Sequence, residues 1–159
     1  MLRARQRLGK YRIVRRISDG PLAQVYAAFD TVLGQRVALK IPVGDEQTVD
    51  DFVHEARVAS RLEHPNILTI RDAGYVDEHF VIAMALGQES LADRIERRIS
   101  RELALDFAYQ ALAAVSHAHA NKIIHCDLKP ENFIIFPGNR LKLCDFGFAK
   151  LSARTIKAS

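Results

Sequence analysis

Hydrophobic and polar residues alternate through much of the first 86 residues, and a two-residue period favours β-strands over helices. Five segments have this texture: 11–17, 24–29, 36–41, 67–75 and 79–86. Gly34 lies in the short connection between the second and third segments, where a hairpin turn is expected. Pro42 ends the third segment, because proline has no N–H to donate to a sheet. The pattern predicts a small antiparallel sheet of five strands.

One helix is predicted to interrupt these strands, over residues 48–64, where apolar residues recur at every third or fourth position. Thr48 and Asp51 fit a capping box at its beginning. The helix is expected to stop before Pro65, because the residue preceding a proline disfavours helical angles.

After residue 87 the period becomes helical, with a short helix predicted over 90–98 and a long, alanine-rich one over 101–122. Two short strands, 133–136 and 141–144, are then expected to pair around a turn at 137–140. These patterns predict an α+β fold, in which a small antiparallel sheet lobe with one helix precedes a mostly helical lobe. We expect one domain over 1–159, with the two lobes at about 1–86 and about 87–159.

The composition fits one globular domain of 159 residues, of which 48% are hydrophobic and 26% charged. No apolar run is long enough to span a membrane, and the N-terminus lacks the apolar core of a signal peptide. The two cysteines, Cys126 and Cys144, are too few for a disulfide framework, which favours a cytoplasmic location. Both are expected to be small buried hydrophobes.

Positive charge is concentrated in two groups, in a chain of net charge +4. The groups are Arg3, Arg5, Arg7, Lys10, Arg12, Arg15 and Arg16, and then Arg94, Arg97, Arg98 and Arg101. Solvated surface is the simpler interpretation of both groups, and an acidic partner is the alternative. Nucleic acid is disfavoured as a partner, because no stacking aromatic residues are interleaved with these arginines.

The segment His125–Phe136 begins with a cluster of polar residues and ends in an apolar strand. Asp127 and Asn132 precede this strand, and Asp145 follows the next one. If the two strands pair, all three polar side chains lie at one end of the pair. Because Mg²⁺ prefers hard oxygen ligands, two carboxylates and an amide here predict a site for magnesium and a hydroxyl group.

Four motifs in this order resemble those of the eukaryotic-type protein kinases: "VALK" with Lys40, Glu55 in the following helix, "HCDLKPEN" from His125, and "DFG" from Asp145. Each occurs in the context that the family requires, since Lys40 lies in the third strand and the last two flank the strand pair. The resemblance implies the N-terminal part of a serine/threonine kinase catalytic domain. It also implies ATP and Mg²⁺ as cofactors, and a protein substrate with a Ser or Thr hydroxyl.

The resemblance implies roles for the charged residues of these motifs. Lys40 would hold the α- and β-phosphates of ATP and pair with Glu55. The residues alone leave open that Glu55 is only an exposed helix residue. Asp127 would accept or steer the proton of the substrate hydroxyl, and Lys129 would lie near the transferring phosphate and indicates the Ser/Thr-directed branch.

Asn132 and Asp145 would hold Mg²⁺, and Phe146 would pack against a structural His125. The walls of the nucleotide site would come from Ser18, Gly20, Val25, Ala38, Met84, Ala85 and Leu86. Among these, Val25 would cover the adenine and Met84 would be the residue that controls access to the back of the site.

The phosphate-covering loop departs from the family pattern G-x-G-x-x-G, since this chain has "SDGPLA". Gly20 is retained, whereas Ser18 and Ala23 replace the outer glycines. Pro21 removes one N–H donor and stiffens the loop. We therefore expect weaker nucleotide binding than a complete glycine loop would give.

Three further departures concern single positions. Cys126 replaces an arginine that usually reads a phosphate on the activation loop, so that switch is expected to be absent. Ala85 stands where many relatives have an acidic residue. Ala59 stands where a larger apolar side chain usually links the Glu55 helix to Phe146 through Ile70, and a looser active arrangement is expected.

The sequence has no A-P-E motif after "DFG" and no peptide-docking segment, so we expect a catalytic domain incomplete at its C-terminus, with little activity on its own. A missing segment or a partner is expected to cover apolar residues of the long helix, namely Leu103, Phe107, Leu112 and Val115. The alternative function is a nucleotide-binding pseudokinase, a scaffold or an inactive kinase remnant. A small-molecule phosphotransferase is a third, less favoured interpretation.

Overall fold

The computed structural model describes residues 2–151 and begins with a six-stranded antiparallel sheet in the order β1-β2-β3-β4-β6-β5. Its strands are β1 (Arg7–Leu8), β2 (Tyr11–Asp19), β3 (Ala23–Asp30), β4 (Gln35–Pro42), β5 (Ile70–Val76) and β6 (His79–Ala85). The five predicted strands are all present, and the two-residue β1 is an addition. Gly34 has a φ of 65° in the β3–β4 connection, a left-handed conformation that glycine adopts without strain.

Helix α1 (Glu46–Ala59) lies between β4 and β5, but its ends differ from the prediction. Its N-cap is Asp45, whose carboxylate accepts a hydrogen bond from the Thr48 N–H, so the expected Thr48–Asp51 capping box is wrong. The helix also ends five residues before His64. The backbone N–H groups of residues 60–62 instead bond to carbonyls of the last helical turn, and the chain then turns toward Pro65.

The second part contains α2 (Leu91–Ile95), α3 (Arg101–Ala120) and a single 3₁₀ turn at Pro130–Asn132. Its short strands are β7 (Glu89–Ser90), β8 (Ile123–Ile124), β9 (Phe133–Phe136), β10 (Arg140–Leu143) and β11 (Lys150–Leu151). The predicted hairpin is present as the antiparallel pair β9–β10, and β7 joins its other edge. The short helix ends three residues earlier than the predicted 90–98, since α2 stops before "ERR".

The connection between α1 and β5 is fixed to β10 by backbone and side-chain contacts. Asn66 O accepts a 2.8 Å hydrogen bond from Leu143 N, and Lys142 Nζ donates to a carbonyl in the same connection. The rings of His64 and His117 lie 4.9 Å apart, and the Asn66 N–H donates to His64 Nδ1. Burial, with His117 and Lys142 nearby, lowers the pKa of His64.

Of three apolar clusters among residues 2–151, the smallest packs Phe52 of α1 against Phe80 and Ile82 of β6. The two larger ones form the main cores. One fills the interior of the sheet around Tyr11, Tyr26 and Leu39. The other joins α1, α3 and the β9–β10 pair around Leu143 and Phe146, and it extends directly beneath the polar loops. Among the helices of residues 2–151, none combines the length and apolar character needed to cross a bilayer.

Candidate active site

Lys40 lies at the centre of a cluster of charged side chains beneath the sheet. Its Nζ is 2.8 Å from both carboxylate oxygens of Glu55 and 3.1 Å from Asp145 Oδ1. The side chains of Lys40 and Glu55 are only 12% and 7% exposed. Glu55 is therefore not an exposed helix residue, and a strand, a helix and the Asp145 loop meet at one ammonium group.

The Lys40 ammonium stabilises both carboxylates of this cluster, whereas the two carboxylates repel each other. Burial alone would lower the pKa of Lys40, but the carboxylates of Glu55 and Asp145 outweigh it and raise that pKa. Burial raises the pKa of Glu55, and the Lys40 ammonium opposes this rise. Lys40 thus remains a cation at neutral pH, as contact with phosphate requires.

The loop before β9 carries a second group of polar side chains. Asp127 Oδ2 accepts hydrogen bonds from Lys129 Nζ at 2.8 Å and from Asn132 Nδ2 at 3.1 Å. Asn132 Nδ2 also donates to the Asp127 backbone carbonyl, which holds the amide in one orientation and leaves its Oδ1 available. The Lys129 hydrogen bond lowers the pKa of Asp127, so the carboxylate is ionised at neutral pH.

His125 connects this loop to the Asp145 loop. Its Nε2 is 2.9 Å from the Cys144 carbonyl, the Asp127 N–H donates to its Nδ1, and its ring packs edge-on against Phe146 with centroids 4.8 Å apart. The expected His125–Phe146 contact is confirmed. Cys126 and Asp145 have φ of 66° and 63°, so each loop holds a non-glycine residue in a conformation that neighbouring contacts must maintain.

A cavity of about 640 Å³ lies between the sheet and the second part of the chain, large enough for a drug-sized ligand. The structure brings eight of the expected residues to its walls: Ser18, Val25, Ala38, Met84, Ala85, Leu86, Asn132 and Asp145. Lys40 and Glu55 line its inner end. Three apolar lining residues were missed by the sequence analysis, namely Ile17, Leu68 and Ile134.

Ile134 could have been found, because it alternates with buried residues in a strand that begins at the polar loop. Gly87 faces the same strand, and a Cβ there would overlap the Ile134 Cγ2 methyl and lie 3.0 Å from Ile135 O. The chain thus passes from the first lobe to the second at a distance that only glycine permits.

A second cavity of about 440 Å³ adjoins the first and contains the remaining site residues, Gly20, Asp127 and Lys129. In the loop above it, the Gly20 N–H donates to the Ala23 carbonyl at 3.0 Å. Pro21 has no N–H. Two backbone groups that could have faced a phosphate are therefore unavailable.

The two cysteines differ from each other. Cys126 is exposed, so its predicted burial is wrong: its left-handed backbone turns the side chain outward from the loop. Cys144 lines the large cavity, and burial raises the pKa of its thiol to about 12. Its sulfur remains a neutral thiol at physiological pH.

The donor set of the site fits a magnesium nucleotide. Asp145 and Asn132 offer a carboxylate and a free amide oxygen, which are hard ligands of the kind that Mg²⁺ prefers. Lys40 offers a buried cation to phosphate, and the cavity of about 640 Å³ offers apolar walls to a nucleotide base. Such a combination of an apolar cleft with a few convergent charges is typical of nucleotide sites.

Comparison with known proteins assigns the family. A model of the protein kinase domain matches residues 11–159, and the chain therefore belongs to the protein kinase family. It is 37% identical to the serine/threonine-protein kinase PrkC of Bacillus subtilis over 164 residues, which cover 98% of this chain and 25% of that protein.

Two further relatives have similar identities. The serine/threonine-protein kinase PknA of Mycobacterium tuberculosis is 34% identical over 154 residues, covering 89% of this chain and 36% of the relative. The serine/threonine-protein kinase pkn3 of Myxococcus xanthus is 35% identical over 161 residues, covering 92% and 29%. The matched region thus spans 25% to 36% of the length of these relatives.

Proposed function

We propose that this chain carries the nucleotide-binding and catalytic loops of a serine/threonine protein kinase. In this function the γ-phosphoryl group of ATP is transferred to a Ser or Thr hydroxyl of a protein. The observation that carries the proposal is the Lys40 ammonium held between Glu55 and Asp145, with Asp127 and Asn132 at the adjoining cavity. The lobes at about 1–86 and 87–159 would enclose the nucleotide.

Each charged residue has a task that its surroundings support. Lys40, kept cationic by two carboxylates, binds phosphate oxygens and orients them. Asp127 accepts the proton of the substrate hydroxyl at a carboxylate oxygen, and its lowered pKa keeps that oxygen ionised before reaction. Lys129, 2.8 Å from the same carboxylate, adds positive charge where phosphate would transfer.

Asn132 Oδ1 and the Asp145 carboxylate would hold Mg²⁺, which when bound neutralises phosphate charge and orients the phosphate chain. His125 keeps these two loops at a fixed separation through its contacts with Cys144 and Asp127. Phosphoryl transfer depends almost wholly on such positioning and on electrostatics, so the rigid connection matters for rate.

A nucleotide-binding pseudokinase is the second candidate, and the glycine loop favours it. The internal Gly20–Ala23 hydrogen bond and Pro21 leave the loop with fewer donors for the β- and γ-phosphates. In that case the chain would bind Mg·ATP without measurable transfer, and its role would be to present a surface to other proteins.

Phosphate incorporation from radiolabelled ATP into a mixed protein substrate distinguishes these candidates. We expect transfer that Asp127→Asn lowers by at least about a hundredfold, the usual scale of general-base loss. The matched control is Asp50→Asn, which removes an exposed carboxylate on α1 and should have no effect. Transfer that is equal in both variants would refute the role of Asp127. Mg·ATP binding with no transfer, by the chain alone and with the C-terminal half of a relative's kinase domain appended, would establish the pseudokinase.

We further propose that additional polypeptide covers one face of α3. Of the apolar residues expected to need a cover, only Leu112 is exposed, because Phe107 lies in the core and Leu103 and Val115 pack against it. The exposed apolar residues are instead Leu105, Tyr109 and Leu112, at 50%, 72% and 67%. Exposed apolar side chains at this spacing mark a contact surface. Concentration-dependent self-association that is lost in Leu112→Gln would identify a second copy of the chain as the cover.

A further inference from the structure

Three exposed arginines and a phenylalanine form one row across strands β1–β4, on the face of the sheet that covers the large cavity. Val25 and Lys40 line the cavity and are cross-strand partners. Side chains alternate between the two faces of a strand. Residues two and four positions after Val25 in β3, and two and four positions before Lys40 in β4, therefore lie on the same face as these two residues.

Four residues further out, this face carries Phe29 opposite Arg36. Phe29 also faces Arg12, and Arg12 faces Arg7. We define Arg7, Arg12, Phe29 and Arg36 as the arginine row. The row lies beyond the outer end of the large cavity, whose wall at that end includes Arg15.

The charge of the arginine row is not neutralised within residues 2–151, where no carboxylate forms an ion pair with Arg7, Arg12 or Arg36. The nearby Lys10 differs, since its ammonium lies 3.4 Å from Asp30 and 3.0 Å from Asp72. Some cations of this lobe are thus paired with carboxylates of the described residues, and the three arginines of the row are among those that are not.

Arg7 and Arg12 are directly opposite each other in the register. Like charges in such a cross-strand pair destabilise a sheet, and an anion placed between them reverses the sign of the interaction. Arg12 is also held in place, because its guanidinium lies 5.5 Å from the centroid of the Phe29 ring. The row is thus arranged in advance for an anionic ligand.

We propose that the arginine row docks an acidic segment of a partner protein, extended across strands β1–β4. Neighbouring strands are about 4.8 Å apart, so Arg7 and Arg36 are separated by about 14 Å across three spacings. In an extended peptide, side chains on one face repeat every 6.8 Å or so, and three alternate acidic residues also span about 14 Å. Each carboxylate can then accept paired hydrogen bonds from a guanidinium.

Single-stranded nucleic acid fits this surface less well. Bases bind such surfaces chiefly by stacking on open aromatic faces. Phe29 is half-buried, and Arg12 already covers its ring. The docking is independent of phosphoryl transfer, because it uses none of the residues assigned to the reaction.

The test is fluorescence anisotropy with a labelled peptide of about ten residues in which Glu alternates with Gly, matching the spacing of the row. We expect binding that weakens strongly between about 0.05 M and 0.5 M salt, because exposed charges are screened. The double variant Arg7→Gln/Arg12→Gln should weaken binding roughly fivefold, the scale of two exposed ion pairs. Arg36→Gln should weaken it separately.

The matched control is Arg98→Gln/Arg101→Gln, which removes the same charge from exposed positions near α3 and should leave peptide binding unchanged. Equal weakening by both double variants would mean that only net charge matters, and would overturn the proposal. The absence of peptide binding, or tighter binding of an oligouridine of similar length, would overturn it as well.

Discussion

Replacing Lys40 with methionine removes the cation on which the two lobes converge. The ammonium lies 2.8 Å from Glu55 and 3.1 Å from Asp145, and the Lys40 and Glu55 side chains are almost fully buried. At an effective dielectric constant near 20, unit charges about 2.8 Å apart attract by about 6 kcal/mol. Desolvation of both ions offsets part of this, and deleting one partner of a buried pair costs about 3–5 kcal/mol.

We therefore expect Lys40→Met to lower the free energy of unfolding by about 3 kcal/mol at pH 7, because Glu55 and Asp145 then face each other without a cation. Urea unfolding of the wild type, Lys40→Met, Glu55→Gln and the double variant gives the coupling energy. The free energy of unfolding lost in the double variant should be about 2 kcal/mol smaller than the sum of the two single losses. The reason is that neither the Lys40 charge nor the Glu55 charge is then left without its partner.

The pH dependence of Lys40→Met provides an independent signature. Without the ammonium, the pKa of Glu55 rises further above its ordinary value, because the influence that opposes the effect of burial is gone. A raised carboxyl pKa means that the folded state binds the extra proton, so stability falls as pH rises through that pKa. The variant should therefore recover stability relative to the wild type as pH falls from about 7 toward about 5.

Lys10→Met is the control, since Lys10 also bridges two carboxylates but is 34% exposed. Lys10→Met should lower the free energy of unfolding by less than about 1 kcal/mol, as for other solvent-exposed ion pairs. Additive effects of Lys40→Met and Glu55→Gln, with no pH-dependent recovery, would show that this buried pair does not interact strongly.

Three other predictions test separate features. Gly87→Ala should destabilise the chain by about 1–3 kcal/mol in urea, because the added methyl overlaps β9. Gly74→Ala should not, since a Cβ there meets no heavy atom of the described residues within 4 Å apart from its chain neighbours. Equal effects would contradict the close approach. Because burial lowers the pKa of His64, the unfolded state binds more protons below about pH 6.5, and stability should fall as pH drops through that range. His64→Gln should flatten this slope in thermal unfolding at several pH values, whereas an equal change in His119→Gln would count against the assignment. Pro21→Gly should tighten Mg·ATP binding severalfold in calorimetry by freeing the loop and restoring an N–H, and unchanged affinity would show that the loop does not limit binding.

The sequence predicted the parts of the fold that local pattern determines. The five main strands, the β9–β10 hairpin and the long α3 follow from periodicity and turn residues, and the family motifs led to Lys40, Asp127 and Asp145. The structure places all of the expected site residues along two adjoining cavities. Their roles in catalysis remain predictions.

Features that depend on distant contacts were missed. Two-residue strands such as β1 and β8 form only because a partner strand lies beside them, and no local period reveals them. The N-cap was misplaced because several polar residues at the start of α1 fit a cap, and only the backbone angles select Asp45. The arginine row was seen only as basic composition, since its order depends on registers between four strands.

The most direct test of the proposed site is calorimetric titration of the chain with ATP in the presence and absence of Mg²⁺. We expect binding that depends on Mg²⁺ and is abolished for the wild type by a chelator. Asp145→Ala should weaken binding by about tenfold or more, the scale of one lost charged contact, and Lys40→Met combined with Asp145→Ala should eliminate it. Circular dichroism at the titration temperature confirms that the variants are folded. Unchanged Mg·ATP affinity in the folded double variant would contradict the assignment of Lys40 and Asp145 to the nucleotide site.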